Sequence, residues 1–198
     1  MTDQILSDKD LDVIFRKARS FKGWQDRPVS EITIRAMYDL LRWGPTSFNS
    51  SPARFVIAQS EEAKEKLAAC AMKSNRSKIL TAPFTVIVAY DLDFPKTLDR
   101  LFKLTPGVSK FFEGNNDFTR VTALRNGSLQ GAYMMIAARA LGLDCCPMSG
   151  FDEKAVNETF FKDSSVRVNF LCAMGYGDPA SLPPQEDRLG FDEACTII

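Results

Sequence analysis

The chain has 198 residues, 45% of them hydrophobic, enough to close one sizeable core and too few for two comfortable domains. Its 25 Lys and Arg balance its 25 Asp and Glu, which argues against the global field that draws a protein onto nucleic acid or an anionic membrane. The absence of histidine excludes Ser-His and Cys-His nucleophile pairs and His-ligated metals, so an enzyme built on this chain leaves its difficult step to a bound cofactor.

The opening segment, Met1 to Asp10, is polar and acidic and lacks the cationic start and apolar stretch of a secretory signal. Ser7 and Asp10 ahead of Leu11, Ile14, Phe15 and Ala18 predict a capped amphipathic helix ending near Arg19. Ser30 begins a second, through Ile34, Met37, Tyr38 and Leu41 to the stop Gly44-Pro45. A small polar loop, Thr46 to Ala53, leads to a strand at Phe55 to Ala58. Ser60-Glu61-Glu62 then caps a helix through Leu67 and Ala71. Phe84 to Tyr90 is the strongest strand signal.

From Asp91 to Phe118 no period is sustained, and the stretch reads as a lid or excursion at about 91–118. Thr119 to Leu141 predicts a long helix, apolar on more than one face and expected to be buried all round. Gly127 and Gly131 within it point to close approach of another backbone or to a tolerated kink. Asp152 caps a helix to Phe161, and Val166 to Ala173 reads as a strand. Helices mixed irregularly with few strands predict an α+β fold in one domain spanning 1–198. No apolar run approaches the roughly 20 residues of a membrane span. Five cysteines (Cys70, Cys145, Cys146, Cys172, Cys195), an odd number without a C-x-x-C pair, point to neither disulfides nor zinc, and the expected address is cytoplasmic.

No glycine-rich dinucleotide fingerprint and no P-loop occur. What remains are four polar clusters. Arg19-Ser20-Phe21-Lys22 puts cations where they would also satisfy a helix dipole. Pro45-Thr46-Ser47-Phe48-Asn49-Ser50-Ser51-Pro52 offers hydroxyls, an amide and backbone donors, as an ordinary surface loop does. Asn75-Arg76-Ser77-Lys78 and the tail residue Arg188 read singly as solvated surface.

Taken together with Trp43-Gly44-Pro45-Thr46-Ser47, Ser51-Pro52-Ala53-Arg54, Leu80-Thr81-Ala82-Pro83, Arg139 to Asp144, Pro147 to Asp152 and Gly175-Tyr176-Gly177-Asp178, these clusters resemble the nitroreductase superfamily along nearly the whole chain. The resemblance is greatest to the branch named for malonic semialdehyde reductase. It implies an α+β fold with a central, mostly antiparallel sheet flanked by helices, in an intertwined homodimer. The flavin, FMN, would lie at the subunit interface, with NADH or NADPH as electron donor and a small-molecule acceptor.

Position by position, the resemblance assigns Arg19, Ser20 and Lys22 to the FMN phosphate and ribityl chain, with Ala18 where an arginine is usual, and Arg188 to the phosphate. Pro45, Thr46, Ser47 and Asn49 match the loop that reaches the partner's flavin. Asn75 and Lys78 match the pair beside the pyrimidine edge. Gly150 matches a backbone position near N5, with Ser149 where many relatives carry glutamate, and Glu186 stands where some carry lysine. No side chain is assigned a catalytic role and no metal is implied. The flavin N5 would carry hydride, and Lys78 would tune the ring by stabilising negative charge on its N1/O2 edge.

Cys145 and Cys146 read as small buried hydrophobes before a redox pair. Phe111, Phe112 and Phe118 either line a substrate channel or pack the excursion. Arg54, Arg120 and Arg125 are candidates to clamp a substrate carboxylate. The expected reaction is reduction of a small oxidised acceptor, with malonic semialdehyde to 3-hydroxypropionate suggested by the branch name. The alternatives are a broad nitroaromatic or quinone reductase and a non-catalytic FMN-binding protein.

Overall fold

In the computed structural model, which describes residues 4–198, the elements follow in chain order as α1 (Asp8–Leu11), α2 (Glu31–Leu41), β1 (Ala53–Ala58), α3 (Glu61–Cys70), α4 (Lys73–Thr81), β2 (Phe84–Asp91), α5 (Pro95–Leu101), α6 (Asn116–Ala140), β3 (Asp144–Met148), α7 (Glu153–Phe160), β4 (Val166–Gly175) and α8 (Phe191–Ala194). Met1, Thr2 and Asp3 of the opening segment lie outside the described residues. Ser7, Ser30, Ser60 and Asp152 each accept the N–H three residues on, so the predicted caps open α1, α2, α3 and α7. Each is worth about 1 kcal/mol. Past α1 the chain loosens into a π-helical turn, Asp12–Arg16, and leaves the helix at Lys17.

The four strands form one antiparallel sheet in the order β1-β2-β4-β3. All eight residues of β2 are buried, because both faces of the sheet are covered. Phe84, Val86 and Val88 point with Cys172 and Met174 of β4 toward α2 and α6, where Met37, Leu41, Met134 and Ala138 meet them. Ile87 and Ala89 point the other way with Leu171 and Ala173, toward Leu67, Ile79 and Val156 on α3, α4 and α7. Each such aliphatic side chain taken from water contributes roughly 1.5–3 kcal/mol.

Two sequence expectations are corrected. Within the single chain, the helix expected to be buried all round is buried along one face, while Val121, Leu129 and Tyr133 stand exposed along another. Its glycines bear out the expected close approach, made to this chain's own sheet: a Cβ on Gly127 would come 3.2 Å from Tyr90 Cβ and 3.9 Å from the Ala89 carbonyl oxygen, and one on Gly131 2.6 Å from Phe170 Cζ and 3.2 Å from Val88 Cγ1. The stretch expected to lack regular elements holds α5 and a 3-10 turn, Val108–Phe112. There Phe94, Leu98, Val108 and Phe112 are buried with Tyr90 in a third cluster, with Phe94 and Phe112 edge-on at 4.9 Å. α4 and β3 are elements that no local sequence signal marks. Among the described residues no helix is long and apolar enough to cross a membrane.

Candidate functional site

After α1 the chain turns extended and lies along the ends of β3 and β4. Ser20 bridges to Cys145, the Phe21 N–H reaches the Cys145 carbonyl at 3.3 Å, and the Gln25 N–H reaches that of Tyr176 at 2.8 Å. This path carries Arg19, Ser20 and Lys22 to a cleft of about 290 Å³ closed on its far side by Pro183, Pro184 and the tail. Arg188 and Glu186 line the same cleft, so two clusters that are far apart in sequence meet. Arg19 Nη2 fastens the join by donating to the Pro183 carbonyl at 2.5 Å.

A fourth cation, which the sequence reading did not place in the site, completes the lining. Arg139, in the last turn of α6, donates to the Ile14 carbonyl at 3.2 Å and faces the cleft beside Ala18. Among the described residues none of Arg19, Lys22, Arg139 and Arg188 lies within ion-pair distance of a carboxylate. Glu186 also lines the cleft and Arg188 donates to the Glu186 and Asp187 carbonyls, but the four cations outnumber the one carboxylate, an excess that a bound dianion would offset. The donor set therefore fits a phosphate monoester, with Arg139 placed beside Ala18 in the lining.

Asn75 and Lys78 lie one turn apart on α4, on the same face. Lys78 Nζ donates to Asn75 Oδ1 at 2.8 Å, and Asn75 Nδ2 donates to the Gly150 carbonyl at 3.0 Å, so the predicted pair and the predicted backbone position form one relay. That carbonyl also takes the Met72 N–H at 3.0 Å, whereas the Gly150 N–H has no partner among the described residues. Ser149 is exposed just before it. The Trp24 indole ties the relay to the extended segment, Nε1 donating to the Lys78 carbonyl at 3.3 Å.

Cys146 of β3 is near enough to both groups to feel a lysine of each. Burial pushes its thiol up, and the charges of Lys78 and Lys22 pull it back. Cys172 is pushed up further by burial and by its contact with Cys145. Buried thiols held protonated are poor nucleophiles, which agrees with reading them as hydrophobes.

The loop Pro45–Pro52 sits apart. Its Ser47 N–H donates to Asn126 Oδ1 at 2.8 Å, Asn49 Nδ2 donates to the Leu101 carbonyl at 3.0 Å, and Thr46 Oγ1 accepts the Ser51 N–H at 3.1 Å. It enters β1 at Ala53, opposite Tyr90, whereas Ser20 pairs with Cys145, which lies opposite Met174 and so level with Phe84. Those are opposite ends of β2, about 20 Å apart at strand rise. One chain does not bring its loop to its own cleft.

Arg54 is already engaged. Its Nη2 meets Asp91 at 2.6 Å, and its Nη1 donates to the carbonyls of Ser51, Pro52 and Ala53. Burial alone would raise the Asp91 carboxyl, but the Ser165 hydroxyl, the Asp93 N–H and Arg54 together hold it below its ordinary value. Arg120 and Arg125 are exposed on α6. Of the three candidate channel aromatics, Phe112 is buried, Phe118 stacks on it at 5.1 Å, and Phe111 is 64% exposed. No group of three His, Cys, Asp or Glu side chains suited to a metal is found among the described residues.

A profile of the Nitroreductase family matches residues 15–176. A Caulobacter protein provisionally named NADH dehydrogenase/NAD(P)H nitroreductase is 52% identical over 188 residues, covering 95% of this chain and 96% of the relative. HadB of Ralstonia pickettii, with the same provisional name, is 48% identical over 189 residues, covering 94% and 96%. Among solved structures, a provisionally named nitroreductase of Exiguobacterium sibiricum in complex with FMN superposes with a TM-score of 0.85 at 21% identity, covering 100% of both chains.

Proposed function

The chain belongs to the nitroreductase family, and from that premise we propose that it is a cytoplasmic FMN-dependent oxidoreductase that takes hydride from NADH or NADPH and gives it to a small oxidised acceptor. The observation that carries this reading is the continuity of the four-cation cleft with the Lys78–Asn75–Gly150 relay, linked through Trp24 and Cys146.

FMN, when bound, supplies a ring that accepts and returns a hydride, which explains how a chain without histidine manages redox chemistry. Arg19, Lys22, Arg139 and Arg188 hold the phosphate, and Ser20 offers its hydroxyl to the ribityl chain. Lys78 places a fixed positive charge where negative charge builds up on reduction, and Asn75 keeps the ammonium from swinging away. Such a charge acts most strongly where water is excluded. The Gly150 N–H is a donor left free to face the ring edge.

A homodimer completes the site. The distance between each chain's loop and its own cleft, together with the uncovered apolar strip on α6, supports a partner chain that brings its Pro45, Thr46, Ser47 and Asn49 to the flavin. Five free cysteines suit the reducing compartment.

The acceptor is proposed to be malonic semialdehyde, giving 3-hydroxypropionate. A broad nitroaromatic or quinone reductase is the second reading, favoured because Arg54, one candidate carboxylate clamp, is spent on Asp91. An anaerobic absorbance titration with NADH and NADPH tests the core of the proposal. Flavin bands that bleach and then return on adding malonic semialdehyde support the first reading, and return only with a nitroaromatic or quinone supports the second. A protein that takes up no FMN overturns both.

A further inference from the structure

Three residues of the loop, none of them glycine, hold left-handed backbone angles: Phe48 (φ 54°), Asn49 (φ 49°) and Ser51 (φ 41°). Side chains disfavour that region, so three such residues within four positions persist only where the surroundings over-determine them. The two ends of the strained stretch are gripped from one side. Asn126 Oδ1 accepts the Ser47 N–H at 2.8 Å, and Gln130 Oε1 accepts the Ala53 N–H at 2.9 Å. Asn126 and Gln130 are four apart on α6 and therefore share a face. They are 3% and 5% exposed, so neither amide has water to fall back on. Asn126 Nδ2 is in turn fixed on the Thr122 carbonyl at 2.8 Å, which turns its oxygen toward the loop.

We infer that Asn126 and Gln130 are positioning residues that clamp the two ends of the strained loop, Ser47 and Ala53, in the shape it presents to the flavin. The inference rests on the proposed FMN site for its functional half, while the clamp itself is a property of the chain. A glutamate at 130 keeps an acceptor in place, and leucine at either position removes it at similar volume.

The test compares the wild type with Asn126→Leu, Gln130→Leu, the double variant and Gln130→Glu. Hydrogen exchange is followed on the flavin-free proteins and FMN affinity by fluorescence titration. Slow exchange is expected at Ser47 and Ala53 in the wild type, with faster exchange confined to residues 45–53 in both leucine variants. FMN affinity should fall about tenfold in each, the effect of losing one buried acceptor. The double variant should be little weaker than either single one, because one loop is being released from two ends. Gln130→Glu keeps an oxygen acceptor opposite the Ala53 N–H but buries a carboxyl group, so it should exchange more slowly at 45–53 and bind FMN more tightly than Gln130→Leu without matching the wild type. Unchanged exchange at 45–53, or faster exchange with unaltered FMN affinity, overturns the inference. A wild type that takes up no FMN rejects the functional reading instead, and the exchange data still decide whether the clamp exists.

Discussion

Gly150 and Asn75 pack so closely that a Cβ on Gly150 would lie 2.6 Å from Asn75 Nδ2 and 3.2 Å from Met72 Sδ. Gly150→Ala must therefore push Asn75 off the Gly150 carbonyl and release the amide that holds Lys78. A loss of about 1–3 kcal/mol in urea unfolding is expected, as for other overpacked positions. Flavin reduction should slow alongside it, and Gly150→Ala with wild-type unfolding and wild-type reduction would show that the relay has slack.

Lys78 itself is only half buried and forms no ion pair among the described residues, so replacing it costs the fold little. Lys78→Met is expected to keep the protein folded and flavin-bound while slowing reduction by NAD(P)H about 10- to 100-fold, the scale for removing one preorganised charge-stabilising donor. Stopped-flow reduction at saturating donor measures it. A variant that loses flavin without any change in the reduction rate of the flavin that remains would mean that Lys78 binds and does not tune.

Assigning the four-cation cleft to the FMN phosphate, as proposed, predicts selectivity between two flavins. Arg139→Ala and Arg188→Ala should each weaken FMN about 10- to 100-fold, the range for losing one charge-assisted contact. Neither should change the affinity for riboflavin, which has no phosphate to contact. Titration of both ligands at two salt concentrations separates the effects, since only the FMN term should depend on arginine and salt together.

How far these sites could be read from the sequence depended on whether a signal was local. Ser30, Ser60 and Asp152 announce their helices because capping is settled within three residues. α4 gives no such sign: its start, Met72, makes no side-chain cap, and its apolar residues mark no single face. β3 is an edge strand of five residues containing Pro147, which an edge tolerates but a propensity reading rejects. α5 and its neighbouring turn are each shorter than a period can reveal and are ordered by Phe94 and Phe112 packing across the chain. The four polar clusters are visible in the sequence, but the roles expected of them follow only from the family resemblance, because Arg19 and Pro183 become neighbours only on folding. Arg139 stands in the sequence only as part of a string shared with the family, and a basic residue in a helix's last turn already has an ordinary explanation in the helix dipole, so nothing local marks it as part of the cleft.

Arg54 should behave as a structural residue. Arg54→Ala removes its contacts to Asp91 and to three loop carbonyls, so it should lower stability. The loss should be about 1–2 kcal/mol for partly screened charged contacts. It should change kcat/KM equally for carboxylate-bearing and neutral acceptors, and a selective loss for carboxylates in steady-state kinetics would restore Arg54 as a substrate clamp.

Two aspartates predict opposite dependences on pH. Asp91 is held below its ordinary value of 3.8 because its hydrogen bonds outweigh burial, so its stabilisation is complete above that value and disappears as pH falls through the lower folded value. Asp144 is raised above 3.8, with burial outweighing the Gly177 N–H and the Arg139 charge. Its contribution is fully present below 3.8 and lost as pH rises through the folded value, so at neutral pH the ionised carboxylate is a liability. Asp91→Asn should therefore be less stable than the wild type at neutral pH, with the gap closing in acid. Asp144→Asn keeps an oxygen for the Gly177 N–H, which Asp144 Oδ2 now accepts at 2.9 Å, and loses only the charge. It should be more stable than the wild type at neutral pH, and its advantage should also close in acid. Urea midpoints from about pH 3 to about pH 7 span both transitions. Curves displaced in the same direction for both variants would contradict the assignment of burial as the dominant influence on Asp144.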